Sequence, residues 1–235
     1  MKAIIVLLIL VSFHNVDGQS VIRRNPQTTI EFNLQTGGTV FYGDISRRAL
    51  LPQNRKNKKD FGIASSLAVM INNGNGIETR ISVTMGTLNG IRYDVLGGYQ
   101  RYFTNTFNEA DATIAFDLFK DRKRFENLTI AWVMGFGVIN YRTVLRSLLT
   151  NRLINTMGYA PQNLPEDPQL KPSDMRTDMV GITGGAVSYR IHENFEVSIE
   201  HTYRIATSSK LDAISGEGIN DYYSYTSLGI SYKIK

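Results

Sequence analysis

Along the segment from Ile30 to Tyr42 the even positions read Ile30, Phe32, Leu34, Thr36, Gly38, Val40 and Tyr42. The odd positions between them read Glu31, Asn33, Gln35, Gly37, Thr39 and Phe41. Side chains alternate across an extended strand with period two, so this segment has one apolar face and one polar face. The same division recurs in six more segments, and in all seven the apolar face carries no Lys, Arg, Asp or Glu. Strands that alternate between lipid and lumen read this way. The pattern predicts an all-β fold, an eight-stranded antiparallel up-and-down transmembrane β-barrel that follows a cleaved signal peptide.

The leader is read from the first residues. Lys2 gives a positive start, Ala3 to Ser12 form an apolar run, and Val16 and Gly18 precede a cut ahead of Gln19. Residues 1–18 are therefore expected to be a signal peptide and 19–235 a single barrel domain, with no room for a second one. No later run approaches the roughly 20 apolar residues of a spanning helix, so membrane residence has to come from strands. The chain has no Cys, which removes disulfides and a lipid-attachment cysteine. Its mean hydropathy of −0.18 is compatible with a barrel, because polar lumen and loops dilute the lipid face.

Eight strands follow from the alternation. After the first, Phe61, Ile63, Leu67, Val69 and Ile71 oppose Gly62, Ala64, Ser66 and Ala68, and Asn72 to Gly76 closes a hairpin. Ile77, Ile81, Val83 and Met85 then oppose Glu78, Arg80, Ser82 and Thr84. Ala110, Ala112, Ile114, Phe116 and Leu118 oppose Glu109, Asp111, Thr113 and Asp117. The longest stripe runs Leu128, Ile130, Trp132, Met134, Phe136 and Val138. The sixth strand, about Asp178 to Arg190, is Gly-rich and shows no clear parity. Phe195 to Ile205 and Tyr222 to Ile234 complete the set.

Connections alternate short and long, with long loops expected near 43–60, 87–106, 142–177 and 206–220. Bacterial barrels keep short turns in the periplasm. Both termini are thus expected on the periplasmic side of a Gram-negative outer membrane. Aromatic girdles are expected from Tyr42, Phe61, Phe103, Tyr203 and Tyr222 at the outer interface and Phe119, Phe125, Phe195 and Tyr232 at the inner one. A soluble lipocalin-like calyx is the structural rival, but its charge-free face would line a cavity and its exterior would carry scattered charges.

The lumen-facing charges are Glu78, Arg80, Asp111, Asp117, Glu196, Glu200, Arg204 and Lys233. Charges withdrawn from water need partners, so they read as a salt-bridge plug, with an ion path or a catalytic group as alternatives. Eight strands leave an interior just wide enough for side chains, which argues against a general porin. Glu200 and Arg204, with Glu196, are expected to share one charge network. His201 lies in an outward stripe two residues from Tyr203, where a lipid-deacylating enzyme would need a Ser. His192 falls in a turn, and neither histidine has a metal partner at usable spacing. No catalytic residue, metal site or cofactor is assigned.

The first loop clusters Arg47, Arg48, Arg55, Lys56, Lys58 and Lys59, in a chain of net charge +5 and pI near 9.3. An exported surface loop meets no nucleic acid. Its expected partners are outer-membrane lipids and the phosphates of lipopolysaccharide, and a solvated charged loop is the plain alternative. The third loop, with Pro161, Pro165, Pro168 and Pro172, is a second candidate contact surface.

Several stretches resemble the small OmpA-like outer-membrane barrels. They are Gly37-Gly38-Thr39-Val40-Phe41-Tyr42-Gly43-Asp44, Asn140-Tyr141-Arg142-Thr143, Tyr203-Arg204 followed by Lys210-Leu211-Asp212, and the close from Tyr222 to Tyr232. The resemblance implies the barrel architecture and a structural role in the envelope. Two departures are the lack of a following peptidoglycan-binding domain and the ending Tyr232-Lys233-Ile234-Lys235, where many members end in an aromatic residue. The Gly-rich opening and size are also similar to the barrel accessory of the type IX secretion system, which ties periplasmic secretion machinery to the outer membrane. The expected function is a non-enzymatic structural or adaptor barrel, with envelope or secretion proteins as partners. A surface-binding barrel or small channel is the alternative, and a lipid-modifying enzyme ranks last.

Overall fold

The computed structural model describes residues 28–43, 61–74, 76–92, 100–119, 127–162, 169–214 and 220–234. The expected leader and the basic cluster of the first loop lie outside them. Among the described residues eleven strands follow in chain order: β1 Thr29–Tyr42, β2 Phe61–Asn72, β3 Ile77–Arg92, β4 Arg101–Asp117, β5 Leu128–Ser147, β6 Leu153–Met157, β7 Tyr159–Gln162, β8 Gln169–Pro172, β9 Arg176–His192, β10 Phe195–Ala206 and β11 Tyr222–Ile234. Eight of them are staves of a closed antiparallel barrel, ordered β1-β2-β3-β4-β5-β9-β10-β11 and back to β1. Closure leaves no unpaired sheet edge within the wall, which is the condition for strands in hydrocarbon.

Side-chain parity sets inside and outside. Leu34, Ile63, Leu67, Met85, Phe136, Ile199, Leu228 and Ile230 stand exposed on the outer surface, Ile63 at 71 % and Leu228 at 64 %. Asn33, Gln35, Ser66, Ser82, Thr84, Asp111, Thr113, Glu200 and Ser231 are buried inside. An apolar exterior wrapped around a polar lumen is the surface of a transmembrane barrel, and the reverse of a soluble calyx. The short turns after β2, β4 and β9 lie at the same end as Thr29 and Ile234, with the long connections at the other end.

The structure lengthens three strands beyond their expected limits. The expected loop over 87–106 is mostly strand, because β3 runs to Arg92 and β4 starts at Arg101. The expected loop over 142–177 contains the end of β5 and all of β6 to β8. The cause is a swap of faces along each strand. In β4 the outward residues change from Ala110, Ala112 and Ile114 to Thr104, Thr106 and Asn108, while the inward ones change from Glu109, Asp111 and Thr113 to Phe103, Asn105 and Phe107. In β5 the inward Gly135 and Gly137 give way to Ile139, Tyr141 and Leu145, and Asn140, Arg142 and Arg146 take the outside. Above the lipid belt the exterior meets water and the interior is dry, so the apolar side chains change face. Phe103, expected in the outer girdle, accordingly lies inside, packed edge-on against Phe41 at 4.7 Å.

Parity in β9 is also settled. Asp178, Val180, Ile182, Gly184 and Ala186 point inward, and Met179, Gly181, Thr183, Gly185 and Val187 outward. Apolar residues on the inner face and glycines on the outer one erased the alternation. The inward glycines have a separate task. A Cβ on Gly184 would sit 2.2 Å from the His201 carbonyl oxygen, and one on Gly135 would sit 2.2 Å from that of Ala112, so neighbouring strands approach too closely for a side chain. Nothing lies within 4 Å of a Cβ on Gly181. Gly184→Ala is expected to destabilise the barrel by about 1–3 kcal/mol, the range of overpacking changes. Gly181→Ala should stay within about 0.5 kcal/mol of the parent. Denaturant titration of the barrel in lipid vesicles separates the two.

Candidate functional site

The lumen is crossed by two sets of ion pairs. Arg80 on β3 binds Glu200 on β10 at 2.5 Å and Glu78 on its own strand at 3.3 Å. Gln35 on β1 donates its Nε2 to the same Glu200 at 3.4 Å and accepts from the Ser227 hydroxyl at 3.2 Å. Closer to the loop end, Arg204 on β10 pairs with Glu109 on β4 and stands 4.0 Å from Asp111. Glu109 also accepts from the Tyr223 hydroxyl of β11, and Asp111 accepts from Ser82 of β3 at 2.5 Å. The Arg204 guanidinium lies 5.2 Å from the centroid of the Tyr225 ring. Both sets join strands that are not neighbours in the sheet, so they tie the wall across the bore. Glu109, Glu200 and Arg204 are at most 4 % exposed.

Glu200 and Arg204 therefore take different ion-pair partners although they are four residues apart on one strand. Glu196 and Lys233 line a shallow recess at the short-turn end, together with Glu31 and Arg190. Asp117 accepts the Phe119 backbone N–H at 2.9 Å just past the end of β4. The sequence set omitted Glu109, which shares the inward parity of Asp111 on its strand, and could not supply Tyr223 and Tyr225, whose hydroxyls and rings look apolar in a pattern. The six basic residues of the first loop lie outside the described residues.

Above the charges the lumen is filled by carbon. Phe41, Leu88, Phe103, Phe107, Ile139, Tyr141, Leu145, Val180, Ile182, Tyr223 and Tyr225 form one buried cluster. Its lid is Leu211 and Ala213, from the connection between β10 and β11, both at most 1 % exposed. A buried loop needs partners for its backbone, and the barrel provides them. Asn105 and Thr143 both donate to the Leu211 carbonyl at 2.8 Å, the Leu211 N–H donates to Asp221 at 2.8 Å, and Asn155 donates to the Ala213 carbonyl at 2.7 Å. The described first part of the fourth long connection, through Ala213, is thus a plug seated in the mouth.

On the outer surface His201 Nδ1 shares a hydrogen bond of 2.7 Å with the Thr226 hydroxyl of β11, and its ring stands edge-on to Tyr203 at 4.9 Å. No third group holds the other ring nitrogen among the described residues, so a hydroxyl and an imidazole meet there without the orienting group that acyl transfer uses. His192 accepts the Asn194 N–H at 3.4 Å in its turn. No group of three metal-binding side chains occurs among the described residues.

No family model matches the chain, and no curated protein matches it. Solved structures align along most of its length at low identity. One is Neisserial surface protein A, 10 % identical over 88 % of this chain and 99 % of that one, with a TM-score of 0.46. Another is a major outer membrane protein from Thermus thermophilus, 12 % identical over 87 % and 99 %, with a TM-score of 0.49. A third is the attachment invasion locus protein Ail of Yersinia pestis, in complex with the heparin analogue sucrose octasulfate, 13 % identical over 88 % and 97 %, with a TM-score of 0.42.

Removing one member of a buried pair strands the other, at about 3–5 kcal/mol. Arg204→Met and Glu109→Gln are each expected to destabilise on that scale, with the double variant far milder than their sum. Glu200→Gln combined with Arg204→Met should instead couple more weakly, because the two residues share no ion-pair partner and feel each other only through their charges. Unfolding of the singles and doubles in lipid gives both cycles, and strong coupling between Glu200 and Arg204 would show a single network.

Proposed function

We propose that this chain is a non-enzymatic outer-membrane barrel with a structural or adaptor role in the cell envelope, whose membrane section does not conduct. The observation that carries the reading is the double obstruction of the bore: cross-lumen ion pairs at Arg80 and Arg204, and above them an apolar core lidded by Leu211 and Ala213. A conducting path of ions or solutes needs a hydrated bore, and side chains occupy this one at successive levels. The outer leaflet then lies toward the long connections, and both termini face the periplasm, as short turns at the terminal end suggest. Lipopolysaccharide phosphates are the proposed partners of Arg47, Arg48, Arg55, Lys56, Lys58 and Lys59. A role as a type IX secretion accessory is the narrower version, supported by the Gly-rich opening and the size of the chain, and a locus of secretion genes around it would favour that version.

A second reading, recognition at the cell surface, is favoured by the height of one side of the barrel. The ends of β3, β4 and β5, with β6 paired onto β5, carry a folded polar surface beyond the lipid belt. The two readings are compatible in one molecule.

The mature protein is expected to partition with outer membranes and to migrate faster on a gel before boiling than after, because a closed ladder resists detergent until heated. In planar bilayers it should give no stable current steps. Leu228→Arg should lower stability by about 2–4 kcal/mol if the position lies at mid-bilayer depth. Recovery as a soluble periplasmic monomer would remove the membrane assignment, and steady currents from the unmodified protein would replace the closed barrel with a small channel.

A further inference from the structure

Beside the plug, at the loop end, lies a polar cavity of about 490 Å³, within the range of small-molecule sites. Three parts of the fold build it. The first residues of β9 provide Arg176 and Asp178, the two flanks of the plug provide Ser208, Lys210 and Asn220, and Tyr141 of β5 forms an inner wall. Tyr141 donates its hydroxyl to Asp178 at 2.8 Å, which fixes that carboxylate with lone pairs to spare. The buried Ser208 hydroxyl faces the Tyr141 hydroxyl and makes no other side-chain hydrogen bond among the described residues, so it keeps capacity for a ligand.

Two cations near the cavity are already committed to backbone carbonyls. Arg142 spends its guanidinium on the Ser173 carbonyl, at 2.9 and 3.2 Å, and Arg146 donates to the Asn151 carbonyl at 2.9 Å. Arg176 and Lys210 are exposed, and neither has an ion pair or side-chain hydrogen bond among the described residues. Two unspent positive charges on the rim of a hydroxyl-lined, carboxylate-bearing cavity match a ligand with an anionic head and a polyhydroxy body. A bare anion would leave Asp178, Ser208 and Asn220 unanswered, and a neutral sugar would leave the cations so.

We propose that this cavity binds a phosphorylated sugar, with the phosphate between Arg176 and Lys210 and the sugar hydroxyls toward Asp178, Ser208 and Asn220. Phosphate oxygens accept charge-assisted hydrogen bonds from such a pair, and a carboxylate held by Tyr141 accepts from hydroxyls. Because Ser208, Lys210 and Asn220 flank Leu211 and Ala213, a bound ligand would also fasten the two roots of the plug. The sugar phosphate could be a free metabolite or the headgroup of a phosphorylated glycolipid, which share this chemistry.

The test uses the full mature chain refolded in a neutral detergent and titrated with glucose 1-phosphate, with glucose and inorganic phosphate in parallel. Glucose 1-phosphate is expected to bind at least tenfold more tightly than either, and Arg176→Gln and Lys210→Met should each weaken it at least fivefold while gel mobility before boiling stays that of the parent. In a second arm, amide exchange of residues 207–214 is followed in phosphatidylcholine vesicles with and without lipid A. Slower exchange with lipid A assigns the headgroup as the source, and unchanged exchange assigns the free sugar phosphate. Equal binding of inorganic phosphate and glucose 1-phosphate, or parental affinity in both variants, would overturn the proposal. Arg176 stands outside the plug, so its variant reports even if Lys210→Met fails to fold. Neither result depends on whether the lumen conducts, which the bilayer measurement decides separately.

Discussion

Everything in this molecule depends on the pairing of its first strand with its last. β1 and β11 run antiparallel from Ile30 opposite Ile234 to Tyr42 opposite Tyr222. In hydrocarbon no water can satisfy a free N–H or C=O, so a sheet that failed to close would leave a row of unmet backbone groups along both edges. The pairing that prevents this joins residues about 200 positions apart in sequence, the costliest kind of contact to reach by chain diffusion. The side chains around the seam help it to hold. Tyr42 stacks on Tyr222 with ring centroids 5.0 Å apart, and inside the wall Asn33 donates to Ser231 at 2.8 Å.

The barrel is two proteins in one tube. Through the lipid belt it is polar inside and apolar outside, and above the belt it is a small water-soluble barrel with a core of Phe103, Phe107, Ile139 and Leu145. The strands pass from one regime to the other without a break, and only the side-chain faces exchange. A dry core above the membrane has to be covered from solvent, and that is the physical reason for the buried turn carrying Leu211 and Ala213. Ala213 takes a positive φ of 61° to make that turn, a conformation that L-residues other than Asn and Asp seldom adopt. The plug has the hydrogen bonds of Asn105, Thr143, Asn155 and Asp221 to hold it there.

Seven of the eight staves were legible because Ile30 to Tyr42, Phe61 to Ile71 and the other segments like them keep one parity through the lipid belt. The sequence became opaque where the environment changed. A run such as Phe103-Thr104-Asn105-Thr106-Phe107 alternates as regularly as any other segment, but with the opposite sense to Ala110-Asp111-Ala112-Thr113-Ile114, so the two parts cancel when read as one strand. β9 was unclear for a related reason, with Val180 and Ile182 inside facing Gly181 and Gly185 outside. The lumen charges were legible as a list, since parity alone places them. Their pairing was not, because Arg80 meets Glu200, and Arg204 meets Glu109, across a bore whose tilt and stagger the strand-by-strand pattern does not encode. Glu109 and the plug residue Leu211 are the clearest omissions, one overlooked among inward acids and the other lost in a connection read as solvent-facing.

The buried ion pairs need an explanation beyond stability, since apolar replacements of such pairs are frequently neutral or better. Register supplies it. A slip of β10 by one residue would turn Arg204 and Glu200 into the lipid, at about 2–4 kcal/mol for an Arg at the midplane, so the alternation alone rejects odd slips. A slip by two residues keeps every face correct and passes that filter. It would, however, move Arg204 along the bore away from Glu109, Asp111 and Tyr225, and Arg80 away from Glu200, leaving buried charges unpaired. The apolar stripe thus chooses which face of each strand meets lipid, and the cross-lumen charges choose which of the remaining registers closes the barrel.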